Sequence, residues 1–238
     1  MTVDKEARII DDLMEKMIKK AMEPGEKLPS ENQLATAYRV PRITARKALM
    51  VLEERGYIYS VHGKGRFLKE APIPIQLHLT GKVSFTDKMR QAGYNLTTKN
   101  AFCKKIDYEE KIFKILKATN RDTVYQIGRL RLIDDEPIAI HQSFVNELKF
   151  PQIAEDGPKI KSMFSYYREL GYTQFTSNQT LLSITFPTFS EQQLLSCSSM
   201  VPLIIVESDC LDVETGDVLE YTKILYRSDK FKYDITMQ

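Results

Sequence analysis

A chain of 238 residues is long enough for one large domain, or for a small domain joined to a medium one. Its 42% hydrophobic and 28% charged residues exclude a disordered or fibrous polypeptide. The net charge of +2 averages an uneven distribution, because residues 31–69 alone hold eight Lys/Arg against three Asp/Glu. The opening MTVDKEARII is too charged for a secretory signal, and no apolar run approaches the ~18 residues of a membrane span, so a cytoplasmic protein is expected. Cys103, Cys197 and Cys210 are odd in number and widely spaced, which offers neither a disulfide framework nor paired metal ligands. No metal and no cofactor is expected.

Residues 5–21 place Ile9, Ile10, Leu13, Met14, Met17, Ile18 and Ala21 at helical spacing, which predicts an amphipathic first helix with these positions inward. Pro24, Gly25 and Pro29 break the pattern. Ser30 and Gln33 make a capping box that opens a second helix through Tyr38. A third helix is expected from Pro41 to Arg55, with Gly56 as its stop and Ala45, Ala48, Leu49 and Leu52 as its core stripe. Arg42, Arg46 and Lys47 lie off that stripe. Alone they describe a solvated helix face. The next segment, YIYSVHGKGRFL, reads as two short strands around the tip His62-Gly63-Lys64-Gly65. Three helices followed by such a hairpin is the winged helix-turn-helix layout, in which the third helix enters the major groove of DNA.

The stretch PGEKLPSENQLATAYRVPRITARKALMVLEERGYIYSVHGKGRFL, residues 24–68, resembles the DNA-binding domain of the GntR family of bacterial transcription regulators. The resemblance implies that Arg42, Thr44, Arg46 and neighbouring Lys47 meet operator DNA from the recognition helix. It places Ser30 at the start of the helix that abuts the backbone, and His62, Gly63 and Lys64 in the wing. Asn32 stands where the family commonly has Arg, which weakens one contact. Pro41 replaces a small hydroxyl residue and removes both a cap and a donor. Ile43 replaces a commonly polar residue and is of a kind to meet a thymine methyl.

KEAPIPIQ, residues 69–76, alternates prolines and reads as a stiff linker. That sets domains at 1–69 and 79–238, with the linker over 70–78. Beyond it, Ser84 opens a helix that ends at Gly93, and Asp107 with Glu110 caps another through Lys117. TVYQIGRLRLIDDEPIAIHQSF is a hairpin around Asp134-Asp135-Glu136-Pro137. A helix near Ser162–Leu170 stops at Gly171, and strands near 201–212 and 218–227 turn at ETGD. Hairpins with intervening helices predict an α+β domain with a central antiparallel sheet. Arg129 and Arg131 leave one face of their strand about 7 Å apart, which suits a phosphate or carboxylate. An outer face paired with nearby acids has the same pattern. Glu220 and Tyr226 share a face of the last hairpin.

SFTDKMRQAG, RLRLIDDEPIAI and GDVLEYTKILYR, in that order, resemble the UTRA effector-binding domain of the HutC subfamily, with its chorismate-lyase-like fold. The resemblance implies an effector contact at Ser84, Phe85 and Thr86, a phosphate held by Arg129 and Arg131 with help from Ser162, and sugar hydroxyls bound by Glu220 and Tyr226. His141 stands where amino-sugar-phosphate binders often have Glu, and Phe164 replaces a Tyr and loses its hydroxyl.

Together these features predict a repressor that binds an inverted-repeat operator in double-stranded DNA as a homodimer. A small anionic effector, such as a sugar phosphate, would release or reposition it. Two other readings stay open: a DNA-binding protein whose second domain only dimerises, and an enzyme on the chorismate-lyase-like fold. Against the enzyme, there are three histidines and no nucleophile–base or metal-ligand constellation.

Overall fold

The computed structural model describes residues 4–70, 73–76 and 84–234. The first three helices are α1 (Lys5–Ile18), α2 (Glu31–Tyr38) and α3 (Arg42–Glu54). Asp4 caps α1 through its side chain, and Ser30 and Gln33 form the reciprocal capping box that opens α2. Ile9, Ile10 and Leu13 meet Leu34, Ala45, Ala48, Leu49 and Leu52 in one apolar cluster. Helix α1 is shorter than its periodicity predicts. Ile18 is 74% exposed and Ala21 lies beyond the helix, because the chain turns at Lys20 with φ of 52°.

Strands β1 (Ile58–Val61) and β2 (Gly65–Leu68) form the antiparallel hairpin expected after α3. The stiff linker is in part a strand: β3 (Ile73–Gln76) pairs in parallel with the last strand of the chain. Pro74 is tolerated in β3 because an edge strand does not need every N–H.

The second half runs α4 (Phe85–Gln91), β4 (Leu96–Lys105), α5 (Glu110–Ile115), β5 (Val124–Ile133), β6 (Glu136–Asn146), α6 (Ile153–Asp156), α7 (Met163–Glu169), β7 (Phe175–Thr176), β8 (Thr180–Thr185), α8 (Phe189–Leu195), β9 (Leu203–Asp212), β10 (Val218–Arg227) and β11 (Phe231–Asp234). Glu109, not Asp107, occupies the cap position of α5, and it makes no side-chain cap. Ser84 and Ser162 cap α4 and α7 as expected. Asp134 and Asp135 both take positive φ, which gives the tight turn between β5 and β6 the twist a hairpin needs.

Seven strands make one antiparallel sheet in the order β4-β5-β6-β10-β9-β7, with β8 also on β9. One face carries α6 and α7 over Tyr125, Ile127 and Val145, and α4 over Ala139 and Tyr226. The other face packs α5 against Val124 and Phe144, and α8 against Ile140 and Leu225. The architecture is the expected α+β arrangement.

The two halves touch where α3 ends. Gly56 has φ of +83°, and a side chain there would come within 3.0 Å of Val201 and 3.1 Å of Asp229. Lys69 pairs with Asp229 at 3.3 Å, and Arg227 grips both oxygens of the same carboxylate, at 3.0 and 2.8 Å.

Candidate functional site

Two regions gather the residues singled out from the sequence. In the first, Glu31 braces the surface formed by α2, α3 and the hairpin. It accepts from Arg42 Nε at 2.8 Å and from Arg66 Nη1 at 3.2 Å, which ties α2, α3 and β2 together. Partial burial pushes the Glu31 carboxyl up, but the two guanidinium groups more than offset it and hold it below the usual carboxylate range. Ser30, Asn32, Arg42, Gly63 and Lys64 line one groove between α2 and the wing. Ile43, Arg46, Lys47 and His62 are exposed and Thr44 is half-buried. Ile43 is 56% exposed, a large apolar side chain left in water among cations. Pro41 stands at the cap position of α3 and makes no side-chain cap. Glu31 and Arg66 complete this surface, and the sequence reading gave neither a contact role; only their position beside Arg42 reveals them.

The second region is buried. Arg129 and Arg131 are each 3% exposed, and Glu220 is 2% exposed. They stand with His141 on one face of the sheet, because β5, β6 and β10 alternate in register there. Arg129 Nη2 donates to Ser143 Oγ at 2.5 Å. Arg131 Nη1 donates to Thr98 Oγ1 at 2.6 Å, to the Lys161 carbonyl at 3.0 Å and to Thr86 Oγ1 at 3.4 Å. The Phe85 ring covers this group, 5.7 Å from the Arg131 guanidinium carbon and 4.7 Å from the His141 ring centre. Tyr226 closes the other side, 5.6 Å from His141.

The cluster is under-satisfied. Arg129 Nε, Arg131 Nε and His141 Nε2 are all buried without a hydrogen-bond partner, while the Glu220 carboxylate has Ser143 and Tyr167 as its neighbours. Among the described residues, no carboxylate comes within 4.0 Å of either arginine. Burial lowers Arg129 against the opposing pull of Glu220, and burial with the neighbouring Arg129 charge lowers Arg131 to about 9; a guanidinium keeps its proton in a protein, so both are cationic. Burial and the two cations push His141 well below its usual value and keep it neutral. Burial raises Glu220, only partly opposed by Arg129. The cluster is therefore net positive whether or not Glu220 is ionised. Orphaned buried polar groups cost ~1–3 kcal/mol each, and an anion with several acceptor oxygens supplies what these lack.

Other expected residues lie around this centre. Ser84 is 8% exposed, and its hydroxyl donates to Asp87 at 2.7 Å. Ser162 caps α7 beside the Lys161 carbonyl that Arg131 uses. Phe164 packs against Phe175, with tilted rings whose centres are 4.6 Å apart, beside the apolar cluster under α7. Ser143 and Tyr167 were missed. Ser143 was findable, since it follows His141 by two positions on a strand and must share its face. Tyr167 comes from a helix, and only the tertiary fold brings it near.

Residues 5–68 match the family model of bacterial regulatory proteins of the gntR family, and residues 91–232 match that of the UTRA domain. The chain is 24% identical to the HTH-type transcriptional repressor NagR of Bacillus subtilis over 226 residues, 95% of this chain and 91% of that protein. It is 24% identical to the mannosyl-D-glycerate transport/metabolism system repressor MngR of Escherichia coli over 232 residues, 97% of this chain and 95% of that one. Among solved structures, PhnF from Mycobacterium smegmatis superposes with a TM-score of 0.61 at 19% identity, covering 96% of this chain and 99% of its own. That likeness carries the fold.

Proposed function

The chain belongs to the gntR family of bacterial regulatory proteins and carries a UTRA domain, a family of transcription regulators and not of enzymes; from that premise we propose that it is a cytoplasmic repressor released or repositioned by a small anionic effector. It binds an inverted repeat in double-stranded DNA as a homodimer, because one recognition helix reads only a few base pairs and a two-fold pair doubles the site. Arg42, Thr44 and Arg46 read or position the operator from α3, and Lys64 with His62 reaches the backbone from the wing. The effector lies at Arg129 and Arg131, with Phe85, His141, Glu220 and Tyr226 around it.

The observation that carries this reading is the pair of buried guanidinium groups with unpartnered Nε atoms and no close carboxylate. A fold seldom keeps two such cations dry unless a ligand completes them. The relatives add a direction, since MngR is named for mannosyl-D-glycerate, a sugar derivative with a carboxylate.

A thermal-shift screen of the full chain tests it, with sugar phosphates, matching unphosphorylated sugars and small carboxylates as ligands. Stabilisation by anionic ligands alone, lost in Arg131→Met, supports the reading. Equal stabilisation of the wild type and Arg131→Met, or by neutral sugars alone, overturns it.

A further inference from the structure

The end of α1, the end of α3 and strand β2 meet the body around a cavity of about 520 Å3. Met17, Ile18, Met22 and Tyr57 wall it from the head, and Pro202 and Asp229 from the body. Ile18, which the periodicity of α1 turns inward, finds no core and lines this cavity instead, 74% exposed. Tyr57, just after α3, is left 40% exposed on the same cavity. Single exposed apolar residues are ordinary. Two large ones that separate segments bring to one cavity mark a place where something binds. The two methionines add walls that can reshape around a guest.

The junction itself builds the cavity. Gly56 lets the head's backbone close on Val201 and Asp229, and Lys69 holds Asp229 at 3.3 Å. Cavities of ~300–1,000 Å3 between domains are where small molecules commonly bind. The charges on the rim say which kind. Lys20, Arg55, Glu23 and Glu70 form no ion pair among the described residues, and they cancel. Asp229 is already taken by Arg227 and Lys69. Arg55 turns Nη1 toward the sulfur of Met14, at 3.8 Å, rather than toward an acid. Apolar walls without net charge give an ion nothing in exchange for its hydration, whereas an apolar molecule gains by covering them. The buried arginine cluster has the reverse character.

We infer that this junction is a second ligand site, for a neutral and largely apolar small molecule that covers Ile18 and Tyr57. It shares no residue with the arginine cluster and does not depend on the anionic effector proposed above. Because head and body both line the cavity, a bound molecule favours this arrangement of the two over any other.

Fluorescence titration of the full chain tests this with two dyes of one shape, neutral N-phenylnaphthylamine and its anionic counterpart, anilinonaphthalene sulfonate. Wild type is compared with Ile18→Asp, with Leu148→Asp and Ile184→Asp as exposed apolar controls, and with Arg131→Met. The expected result is one neutral dye per chain, with a Kd raised about 10-fold or more in Ile18→Asp and unmoved in the other three. In Arg131→Met, which weakens any uptake of the sulfonate by the buried cluster, the neutral dye should bind more tightly than the sulfonate. Unchanged binding in Ile18→Asp, or binding lost in a control or in Arg131→Met, places the dye elsewhere and overturns the site. A sulfonate that binds Arg131→Met as tightly as the neutral dye overturns the ligand class. No saturable binding overturns both. Hydrogen exchange of wild type with and without the neutral dye keeps the test independent of variant folding. Slowing at residues 17–22 and 55–57 supports the site, and unchanged exchange there overturns it.

Discussion

Arginine is used in opposite ways in the two halves of the molecule. In the head, Arg42 and Arg46 stand in water at the outside of a packed three-helix core, where a polyanion can reach them and salt can screen them. In the body, Arg129 and Arg131 are enclosed and make no direct ion pair, with Glu220 acting on Arg129 only from beyond 4.0 Å. A third arginine in the body shows the difference is not burial alone. Arg227 is also 3% exposed, but Asp229 takes it bidentately and the Pro137 and Leu195 carbonyls take what remains. The satisfied arginine holds structure together, whereas the unsatisfied pair stores a cost that the effector proposed above would remove.

The sharpest way to break this comparison is Arg227→Ala. Removing it leaves the buried Asp229 carboxylate with Lys69 alone, which is expected to cost ~3–5 kcal/mol. At ~2–4 °C per kcal/mol for a protein of this size, calorimetry should show a fall on the order of 10 °C. A loss under ~1 kcal/mol would mean that Arg227 is no better placed than the orphaned pair. The same contact has a pH signature. Burial raises the Asp229 carboxyl, but Arg227 more than offsets this and leaves it below its usual value. The pair's stabilisation is then full above the unfolded carboxyl value of ~3.9 and fades as pH falls through the lower folded one. The gap in melting temperature between wild type and Asp229→Asn should narrow on acidification below about pH 4.

Arg46→Ala should cost ~1–3 kcal/mol on the specific operator if the side chain reads a base edge. An equal loss on random DNA reduces it to a phosphate contact. Arg131→Met is expected to leave unliganded stability unchanged or raise it by ~1 kcal/mol, since an apolar chain of similar length replaces an unsatisfied cation. A large destabilisation would place Arg131 with Arg227 as a structural residue. The smallest effect belongs to the wing: Lys64→Ala should lower the slope of log affinity against log salt by about 1 on any sequence. An unchanged slope removes Lys64 from the backbone.

The head was legible almost throughout, because its signals are local. The Ser30–Gln33 box, the Ala45–Leu52 stripe and the Gly56 stop each lie within a few residues of what they determine. The body was legible where alternation settles a face, which is why Arg129, Arg131, Glu220 and Tyr226 fall on one side of the sheet. What stayed hidden depends on distant partners. Strand β8 is polar and apolar by turns with most of its side chains exposed, so burial leaves no pattern in it. Strand β3 exists because β11 lies beside it, more than 150 residues later. Ile18 reads as inward because periodicity shows which face a helix presents, not where the core stops.

The pairing of β3 with β11 limits how far a head can roam. The head's last strand ends at Leu68 and the chain is fastened again at Ile73, a span of five residues that reaches at most ~18 Å when fully drawn out. Gly56 and Lys69 anchor the near side of the same junction on Val201 and Asp229. A tether that short makes each head an extension of the sheet behind it. In the dimer proposed here, the separation of the two operator half-sites is therefore measured by the bodies, and a ligand that alters how the bodies meet changes which DNA spacing fits.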